Sequence, residues 1–362
     1  MEFIKPDVNI NFVGNRKWAF LLSGSLILAT LVLLAWRGGP NYGVDFTGGV
    51  LIQVRLDQPH SPGEIKNALR PINLQNSIIQ RFGEESASEY LIRVTKTDVE
   101  LTGLSDRVRD ALISSFGKGV DIRRVEMVGP KVGKDLREKA LFAIFYAILF
   151  IAIYISGRFE LKWIMSGIMA LSLAVVVYLT SSFGMSVTWL IVIALLVTLG
   201  LCWALKLKYA LGAIIALIHD VTITVGAFAL TDREISLAII AAFLTLVGYS
   251  LNDTIIVFDR IRENARRYRR RPFIEVMNES INETLSRTIL TSSTTLVAVA
   301  ALYVFGGGVI HDFAFAMLVG ICVGTYSSIF VASPVLLIWE RKMADKPGRA
   351  RGEKNRARVK ST

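Results

Sequence analysis

Asp220, Asp253 and Arg260 are ionisable residues inside, or at the edge of, runs that are otherwise apolar. An ionisable group at the centre of a membrane-spanning helix costs about 2.5–3.5 kcal/mol on insertion scales, so each such residue needs a reason. Asp220 is the sharpest case. It lies midway along the run 209–230, beside His219, and shares a helical face with Ala213, Ala216 and Thr224. Small and hydroxyl residues of this kind mark a helix interface, not a lipid-facing surface. Two readings follow: a carboxylate kept neutral or paired for packing, or a proton or ion site, which the midplane depth favours. Asp253 follows Asn252 in the next run, and Arg260 lies seven residues on, hence on the same face and about 10 Å along the axis. Asp253 reads either as an interhelical hydrogen-bond partner or as part of the same pathway. Arg260 reads either as an interfacial anchor or as a functional cation. His219, Asn252 and Thr224 are supporting polar groups; a lone histidine beside an acid is as often a partner as a relay, so it takes no separate role here.

Other patterns say less. Gly320 and Gly324 form a G-x-x-x-G spacing that permits close helix crossing. The hydroxyls of Thr291–Thr295 suit a hydrated path, but packing and bonds back to their own helix explain them better. Phosphate-loop, zinc-helix and nucleophile-elbow motifs are absent, so no enzyme activity, ATP site, metal or cofactor is expected. Cys202 and Cys322 each sit in an apolar run, which supports neither a disulfide framework nor a thiolate metal site. Any energy input then comes from outside the chain, and a midplane carboxylate can draw on a proton gradient.

The elements that must position these residues are spanning helices. The chain has 362 residues, 52% hydrophobic, with a mean hydropathy of +0.48, which excludes an ordinary soluble domain and a disordered chain. Eight apolar runs are expected as spans: about 18–37, 140–157, 163–182, 187–205, 209–230, 235–258, 288–305 and 313–339. The first, after Arg16 and Lys17, reads as an uncleaved signal anchor. The net charge of +11 sits largely in connections: Arg158 and Lys162, Lys206 and Lys208, Arg260 to Arg271, and the tail 340–362. By the positive-inside rule these face the cytoplasm, as do residues 1–17, so the basic residues are topological and no nucleic-acid partner is expected. Loops 181–186, 231–234 and 306–312 face out. The mixed stretch 261–287 reads as an interfacial helix on anionic lipid, and the tail as a disordered basic arm near lipid or ribosome, or as solvated topology alone.

Residues 38–134 are the one sizeable polar segment, expected outside the membrane. A strand over 44–56 bent at Gly48 and Gly49, a helix over 64–69 capped by Ser61, strands near 77–82 and 90–94, a helix over 99–115 and a strand over 121–128 give a β-α-β-β-α-β order. That order fits a small ferredoxin-like α/β domain.

With these residues in place, the chain resembles the SecF-like members of the SecD/SecF family, within the resistance-nodulation-division superfamily. The resemblance rests on Gly43–Gly49, Ala210–Asp220, Gly248–Thr254, Phe258–Asn264, Ser286–Thr291 and Gly324–Pro334, six stretches in order along most of the chain. It implies a multi-pass inner-membrane half-transporter that pairs with SecD beside the SecYEG channel. Proton flow would there drive an outer domain that pulls translocating polypeptide outward, with no cofactor. Asp220 is implied as the proton carrier, with Asp253 and Arg260 supporting it. The turn Asp45, Phe46, Thr47, Gly48 and Gly49 is implied as the junction between outer domain and membrane that contacts SecD, a role compatible with a glycine-permitted strand bend.

One departure stands out. Members of this family run from Arg-Phe-Glu almost directly into Ala-Leu-Gly-Ala-Ile-Ile, whereas here 161–207 intervenes after Arg158-Phe159-Glu160. Two apolar runs in that insert form a hairpin within the bundle region 139–339, which turns a family core of six spans into eight over the whole chain and restores the topology, leaving both termini cytoplasmic. Two other classes fit the same carboxylate less well: a proton-coupled small-molecule or lipid exporter, and a non-transporting scaffold of the translocon.

Overall fold

The computed structural model describes residues 9–75, 77–82, 88–94, 103–160, 163–182 and 187–344. The start of the expected helix at 99, the connections at Lys162 and 183–186, most of the basic tail and residues 1–8 lie outside the described residues. The chain forms α1 (Arg16–Arg37), α2 (Val44–Thr47), β1 (Gly49–Leu56), α3 (Pro62–Ala68), β2 (Ile78–Phe82), β3 (Glu89–Val94), α4 (Leu104–Phe116) and β4 (Val120–Val128). It continues with α5 (Pro130–Glu160), α6 (Trp163–Ser182), α7 (Val187–Ala204), α8 (Lys208–Leu230), α9 (Leu237–Arg267), α10 (Phe273–Phe305), α11 (Gly308–Ser327) and α12 (Ser333–Ala344).

Six helical segments are long and apolar enough to cross a membrane: α1, α5, α8, α9, α10 and Ile310–Glu340, which joins α11 to α12. Eight spans were expected; the two in the inserted segment are shorter apolar stretches, Trp163–Leu179 and Thr188–Ala204. The chain is by these elements a polytopic helical protein with one small α/β unit.

In that unit the sheet order is β2-β3-β1-β4 and every pair is antiparallel. Alternation on β1 buries Val50, Ile52, Val54 and Leu56 against Ile65 and Leu69 around α3 and Val108 and Leu112 of α4. A capping box starts α3, with Ser61 accepting from the Glu64 amide and Glu64 reaching back to the Ser61 amide. The expected strand over 44–56 is corrected at its start. Residues 44–47 form a helical turn, and Gly48 at φ +73° and Gly49 at φ +128° carry the chain from that turn into β1.

That turn binds the small unit to the bundle. The Gly43 amide donates to the Ile235 carbonyl at 2.9 Å, and the Ile235 amide to the Asn41 carbonyl at 2.7 Å. The Leu237 amide, an orphan donor at the start of α9, donates to Asp45 Oδ2 at 2.8 Å. Phe46 enters a cluster with Phe228, Ile239 and Phe243. On the face of β3 away from the sheet core, Arg93 pairs with Glu234 and donates to the Asn41 side chain and the Tyr42 carbonyl. Burial draws its guanidinium down to about 10, opposed by nearby Asp232, so it stays charged at neutral pH.

The expected interfacial helix over 261–287 is a second correction. Helices α9 and α10 both run past their apolar segments and turn at Tyr268–Pro272, with Pro272 at the start of α10. Ile261 and Asn264 of α9 are buried with Val276, Met277, Ser280 and Ile281 of α10, so tertiary packing extends both helices beyond the hydropathy boundary.

A Cβ at Gly48 would lie 2.8 Å from the Pro130 Cα, at a φ that L-residues rarely adopt. Gly248, in α9, has nothing within 4 Å. Gly48→Ala is expected to destabilise the purified protein by about 1–3 kcal/mol, whereas Gly248→Ala leaves stability equal or raises it by up to about 1 kcal/mol. Thermal unfolding in detergent checks the pair, and equal midpoints would show that the Gly48 turn is not a tight constraint.

Candidate functional site

Helix α8 can sit at the centre of the bundle because its sequence is small on several sides. Gly212 lets the turn of helix at Ser328–Ala332 approach, since a Cβ there would meet the Ala332 carbonyl at 3.0 Å. Gly226 does the same for Thr30 of α1. Fifteen α8 residues are buried, among them Ala213, Ala216, His219, Asp220 and Thr224. On the other side of the contact, Gly324 brings α11 so close to α9 that a Cβ would lie 3.0 Å from Ser250 Cβ and 3.5 Å from Asp220 Oδ2.

These close approaches place hydroxyls around Asp220, which is 1% exposed. Ser250 Oγ of α9 donates to Asp220 Oδ2 at 2.6 Å, and Ser327 Oγ at the end of α11 donates to the same oxygen at 2.8 Å. The other oxygen, Oδ1, is 2.8 Å from His219 Nδ1. Thr224, expected as a supporting group, donates not to the carboxyl but to the Asp220 backbone carbonyl at 2.7 Å. His219 Nε2 reaches Ser23 Oγ of α1 at 3.1 Å, and Ser23 in turn reaches the Tyr326 hydroxyl at 3.1 Å. A buried carboxyl with this many partners is satisfied, and it can hold or release a proton without leaving an orphan group.

Asp253 is equally buried but stands in a separate cluster. Ser292 Oγ of α10 donates to Asp253 Oδ2 at 3.3 Å and lies 2.7 Å from Thr325 Oγ1 of α11. Asp220 and Asp253 thus join opposite sides of the same stretch of α11, through Ser327 and Thr325. Arg260 lies with neither carboxylate: it pairs with Glu263 at 2.9 Å and Glu283 at 2.7 Å, in the clasp that ties the far ends of α9 and α10. Asn252 is exposed on α9. Asp45, Phe46, Thr47, Gly48 and Gly49 sit at the sheet junction, at the other end of α9 from Arg260.

Sequence reasoning missed Ser23, Ser250, Ser327 and Tyr326. Ser250 and Ser327 carry no signal in a run of their own, because a single serine in an apolar helix usually bonds back to its own turn. Ser23 had one readable signal. The buried residues of α1 are Ala19, Ser23 and Thr30, all small, while Trp18, Leu21, Leu28 and Trp36 are exposed, an inversion that marks a lipid-facing helix with a small-residue seam. Among the described residues no group of three or more His, Cys, Asp or Glu is arranged to hold a metal ion.

The packing at Gly324 makes a direct test of the site's frame. Gly324→Val adds carbon where Ser250 and Asp220 already lie, and is expected to cost about 1–3 kcal/mol. Arg260→Ala, in a partly exposed ion pair, is expected to cost less than about 1 kcal/mol. Urea or thermal unfolding in detergent ranks the two, and a reversed ranking would show that α9 and α11 are not held at this contact.

The family described as "Protein export membrane protein SecD/SecF, C-terminal" matches residues 108–203 and 201–342, and the "SecD/SecF GG Motif" family matches residues 38–59. The chain is 40% identical over 352 residues to the protein translocase subunit SecF of Desulfurispirillum indicum, covering 93% of this chain and 96% of that one. It is 41% identical over 344 residues to the corresponding subunit of Magnetococcus marinus, covering 94% and 95%, and 36% identical over 322 residues to that of Escherichia coli O157:H7, covering 88% and 84%. Among solved structures it is similar to SecDF of Thermus thermophilus, a translocon-associated membrane protein, at 30% identity and a TM-score of 0.69. The match covers 94% of this chain and 40% of that one, so the chain spans about two-fifths of the SecDF polypeptide. A buried carboxyl in a polytopic helix bundle, a glycine-pair junction and these relatives agree, and the chain belongs to the SecD/SecF family of protein export membrane proteins.

Proposed function

We propose that this chain is a SecF-like subunit that works with SecD beside the SecYEG channel, and that protons passing Asp220 drive its small α/β unit to draw translocating polypeptide outward. The observation that carries this reading is the placement of Asp220: midway along α8, 1% exposed, with Ser250, Ser327 and His219 on its carboxyl. A carboxyl so placed can lose and regain a proton while neighbouring helices exchange hydrogen bonds with it. No cofactor is needed, because the electrical part of the gradient supplies about 2.3 kcal/mol per charge per 100 mV.

Force on the small unit has a physical route in this reading. Asp45 accepts from the first amide of α9, the helix that also carries Ser250 and Asp253. Arg93 and Glu234 tie the sheet to the connection that follows α8. Asp253 is the second carboxyl of the pathway, and Arg260 holds the end of α9 where protons enter or leave. The small unit is read as ferredoxin-like and extracytoplasmic, and both termini as cytoplasmic in the inner membrane. The six-span core with the hairpin over 161–207 then makes eight crossings.

Export of a secreted reporter in cells depleted of the native subunit tests the reading. Asp220→Asn, at matched membrane abundance and matched SecD association, is expected to bring export close to the depleted level. Normal export with that variant would make Asp220 a packing residue and the chain a scaffold of the export machinery.

A further inference from the structure

Hydrogen positions around His219 follow from counting donors. Tyr326 donates its one hydroxyl hydrogen to the Ala19 carbonyl at 2.8 Å, because a carbonyl oxygen can only accept. In the 3.1 Å contact between Tyr326 and Ser23 the tyrosine oxygen therefore accepts, and Ser23 donates. Ser23 has then spent its only hydrogen, so in its 3.1 Å contact with His219 it accepts, and Nε2 carries a proton. On the other side of the ring, Nδ1 and Asp220 Oδ1 are 2.8 Å apart, a distance that requires a hydrogen between them. Two hydrogens for a carboxylate and an imidazole are one more than the ionised acid and neutral ring would hold together. Ser250 Oγ donates to Oδ2, and Ser327 Oγ shares its one hydrogen between Oδ2 at 2.8 Å and the Gly324 carbonyl at 3.1 Å, with the shorter contact to Oδ2, so neither serine needs a hydrogen on that oxygen.

We propose that His219 and Asp220 form a single proton-binding unit that holds one excess proton in this arrangement, and that its release reverses the hydrogen-bond chain through Ser23 and Tyr326 that ties α1 to α11. The proposal rests on the reading of Asp220 as the proton carrier, makes His219 part of that carrier and assigns Ser23 as its positioning residue. Release passes the Nε2 proton to water and leaves the other between Nδ1 and Oδ1, so the pair goes from neutral to a net charge of −1. Bare Nε2 then needs a donor, and Ser23 turns its hydrogen away from Tyr326. The Tyr326 hydrogen can serve Ala19 or Ser23 but not both, so one of the two α1–α11 hydrogen bonds is lost. The charge on α8 is thereby read as a looser contact between α1 and α11. Facing the pair are Ser23 from α1, Ser250 from α9, and Ser327 and Tyr326 from α11. Tyr326 is the titratable one of these, and Asp253 lies one turn beyond Ser250 with its carboxyl on Ser292.

Nitrogen-15 NMR of histidine-labelled full-length protein in lipid bilayers tests this. The chain has three histidines, and His219→Gln assigns the signal. As pH rises, Nε2 is expected to change from protonated to bare while Nδ1 keeps its proton. Ser23→Thr retains the change, whereas Ser23→Ala, which removes two hydrogen bonds from the protonated arrangement and one from the released one, raises the bare-Nε2 population about tenfold at a given pH, the size of one net hydrogen bond. An Nε2 proton that stays in place throughout the titration, or a Ser23→Ala variant that titrates like the wild type, overturns the proposal. Those results leave the export test of Asp220 untouched, and normal export by Asp220→Asn leaves the ring signal untouched, so the two readings fail separately.

Discussion

A carboxyl buried in an apolar helix bundle must have hydrogen-bond partners, and that constraint organises the helices around α8. An unpartnered polar group in such surroundings costs several kcal/mol. The partners of Asp220 come from α9 and α11 and, through His219, from α1. Serine side chains are short, so three helices must come close to deliver them. Gly324 and Gly226 permit the approach, and the irregular turn at Ser328–Ala332 lets α11 pass into α12 beside Gly212. Ser333 Oγ donates to the Ser328 carbonyl at 2.8 Å there.

The same logic explains why α1 looks inverted. In water its large apolar residues would be the buried face. Here they are exposed and the seam of Ala19, Ser23 and Thr30 is buried on α8, because in lipid close packing and hydrogen bonds hold helices together where burial of leucine does not. The helix thus carries a polar side chain to the centre of the bundle although its sequence looks like a plain anchor.

The contacts to Asp45 and Asp220, the carboxyl of Asp253 and the arginine divide the length of α9. Its first amide holds Asp45 at the sheet junction, Ser250 and Asp253 lie in the middle on opposite partners of α11, and Arg260 closes the clasp with Glu283 at the far end. One rigid helix therefore joins the α/β unit, the Asp220 cluster and the basic turn. Movement of α9 along its axis would be felt at all three places.

Much of this was legible in the residues. Six of the spanning runs, the order of strands and helices in the polar segment, and the isolation of Asp220 follow from local hydropathy and period, which depend on near neighbours in the chain. The turn at Val44–Thr47 and the ends of α9 and α10 were misread, because Gly48 packs on Pro130 and Asn264 packs on Ser280, contacts between residues remote in sequence. The cluster itself shows the division most clearly. By itself the sequence determined that a carboxyl lies at the middle of an apolar helix and must be satisfied. Only the tertiary structure decided that Ser23, Ser250, Ser327 and Tyr326 do so, and that Arg260 stands elsewhere, because a hydrogen bond depends on a separation of about 3 Å between helices and spacing along one chain does not encode it.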